Sequence, residues 1–183
     1  MLIQIASLLL DVISGLLAGL CVLRAYLGWL RVPLGRHSGN PIGPLIMGLT
    51  DWLVLPLRKA LPNARHVDGS SLLAAYLIVL IKLLALALLG LAPWSPTLLL
   101  WTGFEVLHLV VSGLFGLAIV AVILSWVQTS SPMALLIDRM IEPILEPIRR
   151  FVPTVGGIDL SPLVLLVMLQ VLDLVLRSLR WSL

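Results

Sequence analysis

One stretch of this chain is written twice, so the fold must be built from two like units. Pro56-Leu-Arg58-Lys59-Ala-Leu-Pro62, with Asp68-Gly-Ser70 after five more residues, returns as Pro147-Ile-Arg149-Arg150-Phe-Val-Pro153 with Asp159-Leu-Ser161, every matched position 91 residues on. Pro41 and Pro132 carry the register upstream, and Ser14-Gly15-Leu16 and Trp29 find counterparts in Ser112-Gly113-Leu114 and Trp126 after small insertions. A repeat of this length divides the chain into a first unit, residues 1–92, and a second, residues 93–183.

The runs between the motifs say where such units can exist. Apolar residues make up 60% of the chain and charged residues 11%, far from the soluble averages of about 45–50% and about 25%. Residues 2–30, 70–91, 97–127 and 160–176 each approach or exceed the ~20 residues that cross about 30 Å of hydrocarbon. Four spans are therefore expected. The first reads as a retained span rather than a cleaved leader, because Asp11 interrupts it and Leu20 stands directly before Cys21. Trp29 and Arg31 mark its interface end, and the long stem of Arg24 can reach the same headgroup layer.

Between spans, residues 132–149 alternate at helical spacing: Met133, Leu136, Ile137, Met140, Ile141, Ile144 and Ile148 share one face, with Asp138, Arg139, Glu142, Glu146 and Arg149 opposite. This pattern predicts an amphipathic helix lying in the interface, kinked or broken at Pro143 and Pro147. The matching first-copy segment, from Pro41 to Pro56, is less polar. Four spans place both motif loops on one side and both termini on the other. The motif side carries Arg31, Arg36, Arg58, Lys59, Arg65, Arg139, Arg149 and Arg150 against Arg177 and Arg180, which predicts cytoplasmic motif loops and periplasmic termini. The two units then run the same way through the membrane. The expected architecture is an all-α membrane protein of four transmembrane helices in two tandem parallel repeats, each with an interfacial amphipathic segment.

The net charge of +3 lies in turns beside apolar runs, which points to anionic lipid rather than nucleic acid. On that reading Arg58, Lys59, Arg149 and Arg150 face lipid headgroups. Asp68 and Asp159, each just before an apolar run, are helix-cap candidates. The glycine-bearing turn Thr154-Val-Gly156-Gly157-Ile reads as a proline-glycine turn feeding the last span. Gly15 with Gly19, and Ser112 with Gly116, are small-residue pairs that permit close helix approach between the first and third spans or between copies of the chain. Homo-oligomers and contacts with other membrane proteins are the partners this allows.

Ionisable groups inside spans are costly and often mark function. Here they are Asp11, Lys82, Glu105, His108 and Asp173. Glu105 and His108, one turn apart, could share a proton or a cation. Lys82 and Asp173 occupy the same place in the two copies, fourteen residues after Asp68 and Asp159. Asp11 and His108 likewise stand eighteen residues before Trp29 and Trp126. All four fall in one layer toward the terminus side, and Lys82 is expected to face Asp173 or Asp11. With Cys21 the only cysteine, no intramolecular disulfide and no multi-cysteine metal site are expected. No nucleophile–base pair, phosphate loop or haem-attachment motif is present, so catalytic residues, cofactors and metals are expected to be absent and an enzyme is disfavoured.

A span ending near a Trp, an Asn-Pro or Ser-Pro, a basic Pro-x-Arg-Arg-x-x-Pro turn and an Asp-x-Ser opening the next span resemble the YggT family in its two-repeat bacterial form. Copy one departs at Asn63-Ala-Arg65-His66-Val67, where copy two keeps the glycine-containing turn. The resemblance implies an inner-membrane protein linked to osmotic-stress tolerance and to cation, including potassium, homeostasis. The alternative is a membrane assembly factor or scaffold without transport activity, as plastid relatives implicated in cytochrome maturation or in nucleoid and division organisation imply.

Overall fold

The computed structural model describes residues 1–35, 40–60, 68–92, 94–127, 131–152 and 159–181. Among the described residues there are six helices and no strand. They are α1 (Leu2–Trp29), α2 (Gly43–Ala60), α3 (Gly69–Leu88), α4 (Leu98–Val127), α5 (Pro132–Arg149) and α6 (Ser161–Trp181). Four of them, α1, α3, α4 and α6, are long and apolar enough to cross a membrane. At 1.5 Å per residue the twenty residues of α3 reach about 30 Å, one hydrocarbon thickness. The spans expose Ile5, Leu8, Leu9 and Leu16 on α1, and Leu163, Val167, Val171 and Leu174 on α6. That surface is stable only against lipid, since water penalises it at roughly 25 cal/mol per Å².

Each copy packs its first span on its second, α1 on α3 and α4 on α6, and α4 joins the copies by touching α3 and α1. Ala18, Cys21, Ala74, Ala75, Ile78 and Val79 form the buried α1–α3 seam. Small side chains let the two backbones approach, and close packing supplies the attraction that lipid solvent does not. In copy two, Val111, Ala118 and Ala121 of α4 meet Leu165 and Leu169 of α6, and Ile137, Ile141 and Leu145 of α5 cover the end of that seam.

The short helices follow the sequence pattern with corrections. α5 buries Leu136, Ile137, Met140, Ile141 and Leu145 and exposes Asp138, Arg139, Glu142, Glu146 and Arg149. Met133, placed by the pattern on the apolar face, is exposed, and Ala134 takes the buried place in the first turn instead. Of the kink or break expected at Pro143 and Pro147, the break does not occur: α5 runs through both. Its packed inner face holds the helix together where the prolines remove donors. α2 likewise continues through Pro56 to Ala60 instead of ending there. Ser131 caps α5, its hydroxyl accepting the Ala134 N–H at 3.1 Å.

α5 also crosses between copies. Leu136 and Met140 pack with Leu27 of α1 and Ile46 of α2, and the Tyr26 hydroxyl donates to the Met140 carbonyl. The close approach expected of Gly15, Gly19 and Gly116 is not found within the chain: a side-chain carbon at any of them would meet nothing within 4 Å. These positions face outward because the seam is made by Ala18 and Cys21 instead.

Candidate functional site: two polar layers joined to the repeat

Polar residues gather in two layers at opposite ends of the bundle. The motif-side layer is built from repeat positions. In copy one, Arg58 donates to Asp68 at 2.8 Å, and Asp68 accepts from the Ser71 backbone N–H and hydroxyl at 3.3 and 2.9 Å. It is the cap of α3. In copy two, Arg149 donates from Nε to Asp159 at 2.8 Å, and Asp159 accepts the Ser161 N–H at 2.9 Å. Each arginine therefore fastens the end of a short helix to the start of the next span. The glycine-bearing residues 154–158, read in the sequence as a turn, lie outside the described residues.

This alters the lipid-facing reading of the basic pairs. Arg149 is held by Glu142 as well, at 2.8 Å to both carboxylate oxygens, and Arg150 pairs with Glu146 at 2.9 Å. Of the four expected lipid contacts only Lys59 has no acidic partner among the described residues. Burial works against the charged forms of Arg149 and Asp159. Hydrogen bonds outweigh it, raising the Arg149 pKa through Asp159 and Glu142 and lowering that of Asp159 through Ser161 and Arg149.

Asp51 and Glu142 stand at the same repeat position, a relation visible in the sequence once the register is known. In copy one Asp51 takes Arg24 instead of the motif arginine, at 2.6 Å, and Arg24 also donates to Thr50 at 2.7 Å and lies 3.9 Å from Asp68. Arg24 is 4% exposed. It does not snorkel to headgroups, because two carboxylates one helix away offer stronger partners than lipid. Ser70 and Ser161, the matched motif serines, are buried with unpartnered hydroxyls.

The second layer lies at the terminus end and draws on all four spans. Lys82 of α3, 9% exposed, stands 3.3 Å from Asp11 of α1 and 2.9 Å from Glu105 of α4. Glu105 also holds Arg180 of α6 at 2.9 Å, and the Arg180 guanidinium stacks 5.9 Å from the Trp101 ring. Beside it His108 Nε2 is 3.1 Å from Asp173, whose other oxygen takes Arg177 at 2.8 Å. The His108 contact is short but misaligned for a hydrogen bond, leaving that Asp173 oxygen without one. It borders a cleft of about 210 Å³ lined by Ser112, Phe115, Gln170 and Arg177 among others.

Of the two partners expected for Lys82, Asp11 is the one it meets. Asp173 is engaged by His108, the same α1–α3 or α4–α6 relation in the other copy. Glu105 is held by Lys82 and Arg180 from the flanking helices, while His108 turns to Asp173. Arg177 and Arg180, read in the sequence only as terminal charges, complete the layer. The i,i+4 spacing of Asp173 and Arg177 was the signal for one of them.

A lipid-facing four-span bundle with internal twofold repetition, motif arginines clamped to cap aspartates, and a closed charged layer defines a class of two-repeat integral membrane protein. The chain belongs to the CCB3/YggT family, matching it over residues 3–89 and again over 100–180. It is 31% identical over 171 residues to a protein of Escherichia coli (strain K12) carried as "Uncharacterized protein YggT", covering 92% of this chain and 87% of that one. It is 32% identical over 169 residues to a Haemophilus influenzae relative, covering 91% and 88%. No solved structure matches the chain.

Proposed function

We propose that this is a non-catalytic scaffold of the bacterial inner membrane, with its motif loops in the cytoplasm, its termini in the periplasm and its two repeats parallel. The observation that supports this reading is the seam between the polar layers, where Ala18, Cys21, Ala74, Ala75, Ile78 and Val79 are buried against one another as an apolar cluster. In the terminus-side layer three carboxylates, Asp11, Glu105 and Asp173, are balanced by Lys82, Arg177 and Arg180. Such a layer fixes helix positions. The outward faces at Gly15 and Gly19, and at Ser112 and Gly116, then remain for a second copy or another membrane protein. Reconstituted in potassium-loaded liposomes, the protein should release no more potassium than empty vesicles do, and flux well above that background would overturn the scaffold reading.

The osmotic-stress and cation-homeostasis role is the second reading. What favours it is the Asp173 oxygen left without a hydrogen bond beside the 210 Å³ cleft, with Gln170 and Ser112 in its wall.

A further inference from the structure

A second and larger cleft, about 380 Å³, opens on the motif side where the copies meet. Its walls are Val32, Pro33, Asn40 and Pro41 from the α1–α2 connection and Pro132, Leu135, Leu136 and Arg139 from α5. That volume lies within the range of small-ligand sites, about 300–1,000 Å³. Pro41 and Pro132 are the same repeat position, so the openings of α2 and α5 converge here, each bringing the positive end of its helix dipole.

Arg139 is the charge in the wall, and the neighbouring acids do not claim it. Glu142, one turn on, is taken at both oxygens by Arg149, and Glu146 by Arg150. Asp138 points about 100° away around the helix. Arg139 has no ion-pair partner among the described residues. One turn before it, Leu135 is exposed. A cation next to an apolar wall and an exposed leucine, just beyond the span end at Trp29, has the arrangement that a phosphate carrying hydrocarbon requires.

We propose that this cleft binds a phosphate group, with Arg139 as its anchor, and that the apolar walls receive the glycerol and upper chains when the phosphate belongs to an anionic phospholipid. The inference rests on the membrane placement of the motif side and not on the scaffold reading, so it stands or falls separately from potassium flux.

The test uses the full chain in neutral detergent, with native mass spectrometry reading retained phosphatidylglycerol against phosphatidylcholine. Phosphatidylglycerol should be retained preferentially. Arg139→Ala should weaken its retention roughly fivefold, the factor expected for one basic residue at a charged lipid surface. Arg139→Lys should keep most of it, and Arg150→Ala, which removes an equal charge from the far end of α5, should leave it unchanged. Competition by inorganic phosphate would assign the site to phosphate as such; lack of competition would assign it to the lipid, and the proposal holds in both cases. Undiminished phosphatidylglycerol on folded Arg139→Ala protein, or equal loss of it from folded Arg150→Ala and Arg139→Ala proteins, would overturn it.

Discussion

Lys82 stands between Asp11 at 3.3 Å and Glu105 at 2.9 Å, so one cation on α3 ties together the first span of each copy. Its counterpart in copy two is an aspartate, Asp173, facing His108. The duplicated frame has kept the position and exchanged the sign. The layer balances only because the two copies differ.

Removing that cation leaves the exposed Asp11 without its partner and the part-buried Glu105 held by Arg180 alone. Lys82→Met should destabilise the folded protein by about 3 kcal/mol, the scale of breaking a buried pair from one side. The reversal Lys82→Glu should be at least as harmful, and combining it with Glu105→Lys should recover much of the loss. Thermal unfolding in detergent, followed by tryptophan fluorescence, is the measurement. Strictly additive losses in the double variant would refute direct coupling.

The Arg149–Asp159 clamp carries an acid dependence. Because the folded Asp159 carboxyl titrates below its ordinary value of 3.8, its contribution is fully present above that value and is lost as pH falls through the lowered folded value. Unfolding curves from pH 6 down to pH 2 should show this loss below about pH 4. Asp159→Asn should be less stable at pH 6 and should lack that part of the acid slope. A variant with the wild-type slope would remove Asp159 from the account.

Ion pairing also changes what the motif arginines do for lipid binding. Two free basic residues would contribute about 2 kcal/mol at an anionic surface. With Arg149 on Glu142 and Asp159 and Arg150 on Glu146, the Arg149→Gln/Arg150→Gln protein should lose less than about 1 kcal/mol of anionic-vesicle affinity. Its loss should appear in thermal stability instead. Flotation with vesicles of graded phosphatidylglycerol content separates the two outcomes.

The proposed orientation is open to labelling, since Cys21 is buried. An impermeant maleimide should modify Ser95→Cys from outside right-side-out inner-membrane vesicles and Lys59→Cys only after the vesicles are opened. The reverse pattern would invert the topology.

The spans are legible in the sequence because length and apolarity alone decide whether a helix can cross a bilayer, and the repeat register correctly paired Arg58 with Arg149 and Asp68 with Asp159. Side-chain direction across helices was not legible. Arg24 lies near a span end, where a headgroup contact is the usual outcome, and nothing local reveals that Thr50 and Asp51 sit opposite. Arg180 similarly looked like a terminal charge until α4 placed Glu105 and Trp101 beside it. Whether α5 breaks at its prolines was left open because prolines are judged locally, whereas the helix is held by contacts from α1, α4 and α6.

The reach of α5 onto Leu27 and Tyr26 also sets an order of events at the ribosome. When α1 and α3 enter the membrane, Asp11 and Lys82 can already meet and α2 can cover part of the motif-side end of α1, but the cover that α5 gives Leu27 and Tyr26 waits until residue 140 has been made. The first half thus reaches its own α1–α3 seam before the contact from α5 exists. A chain stopped after residue 92 lacks the contacts of α5 on Leu27 and Tyr26 and should be turned over by membrane proteases faster than the whole protein.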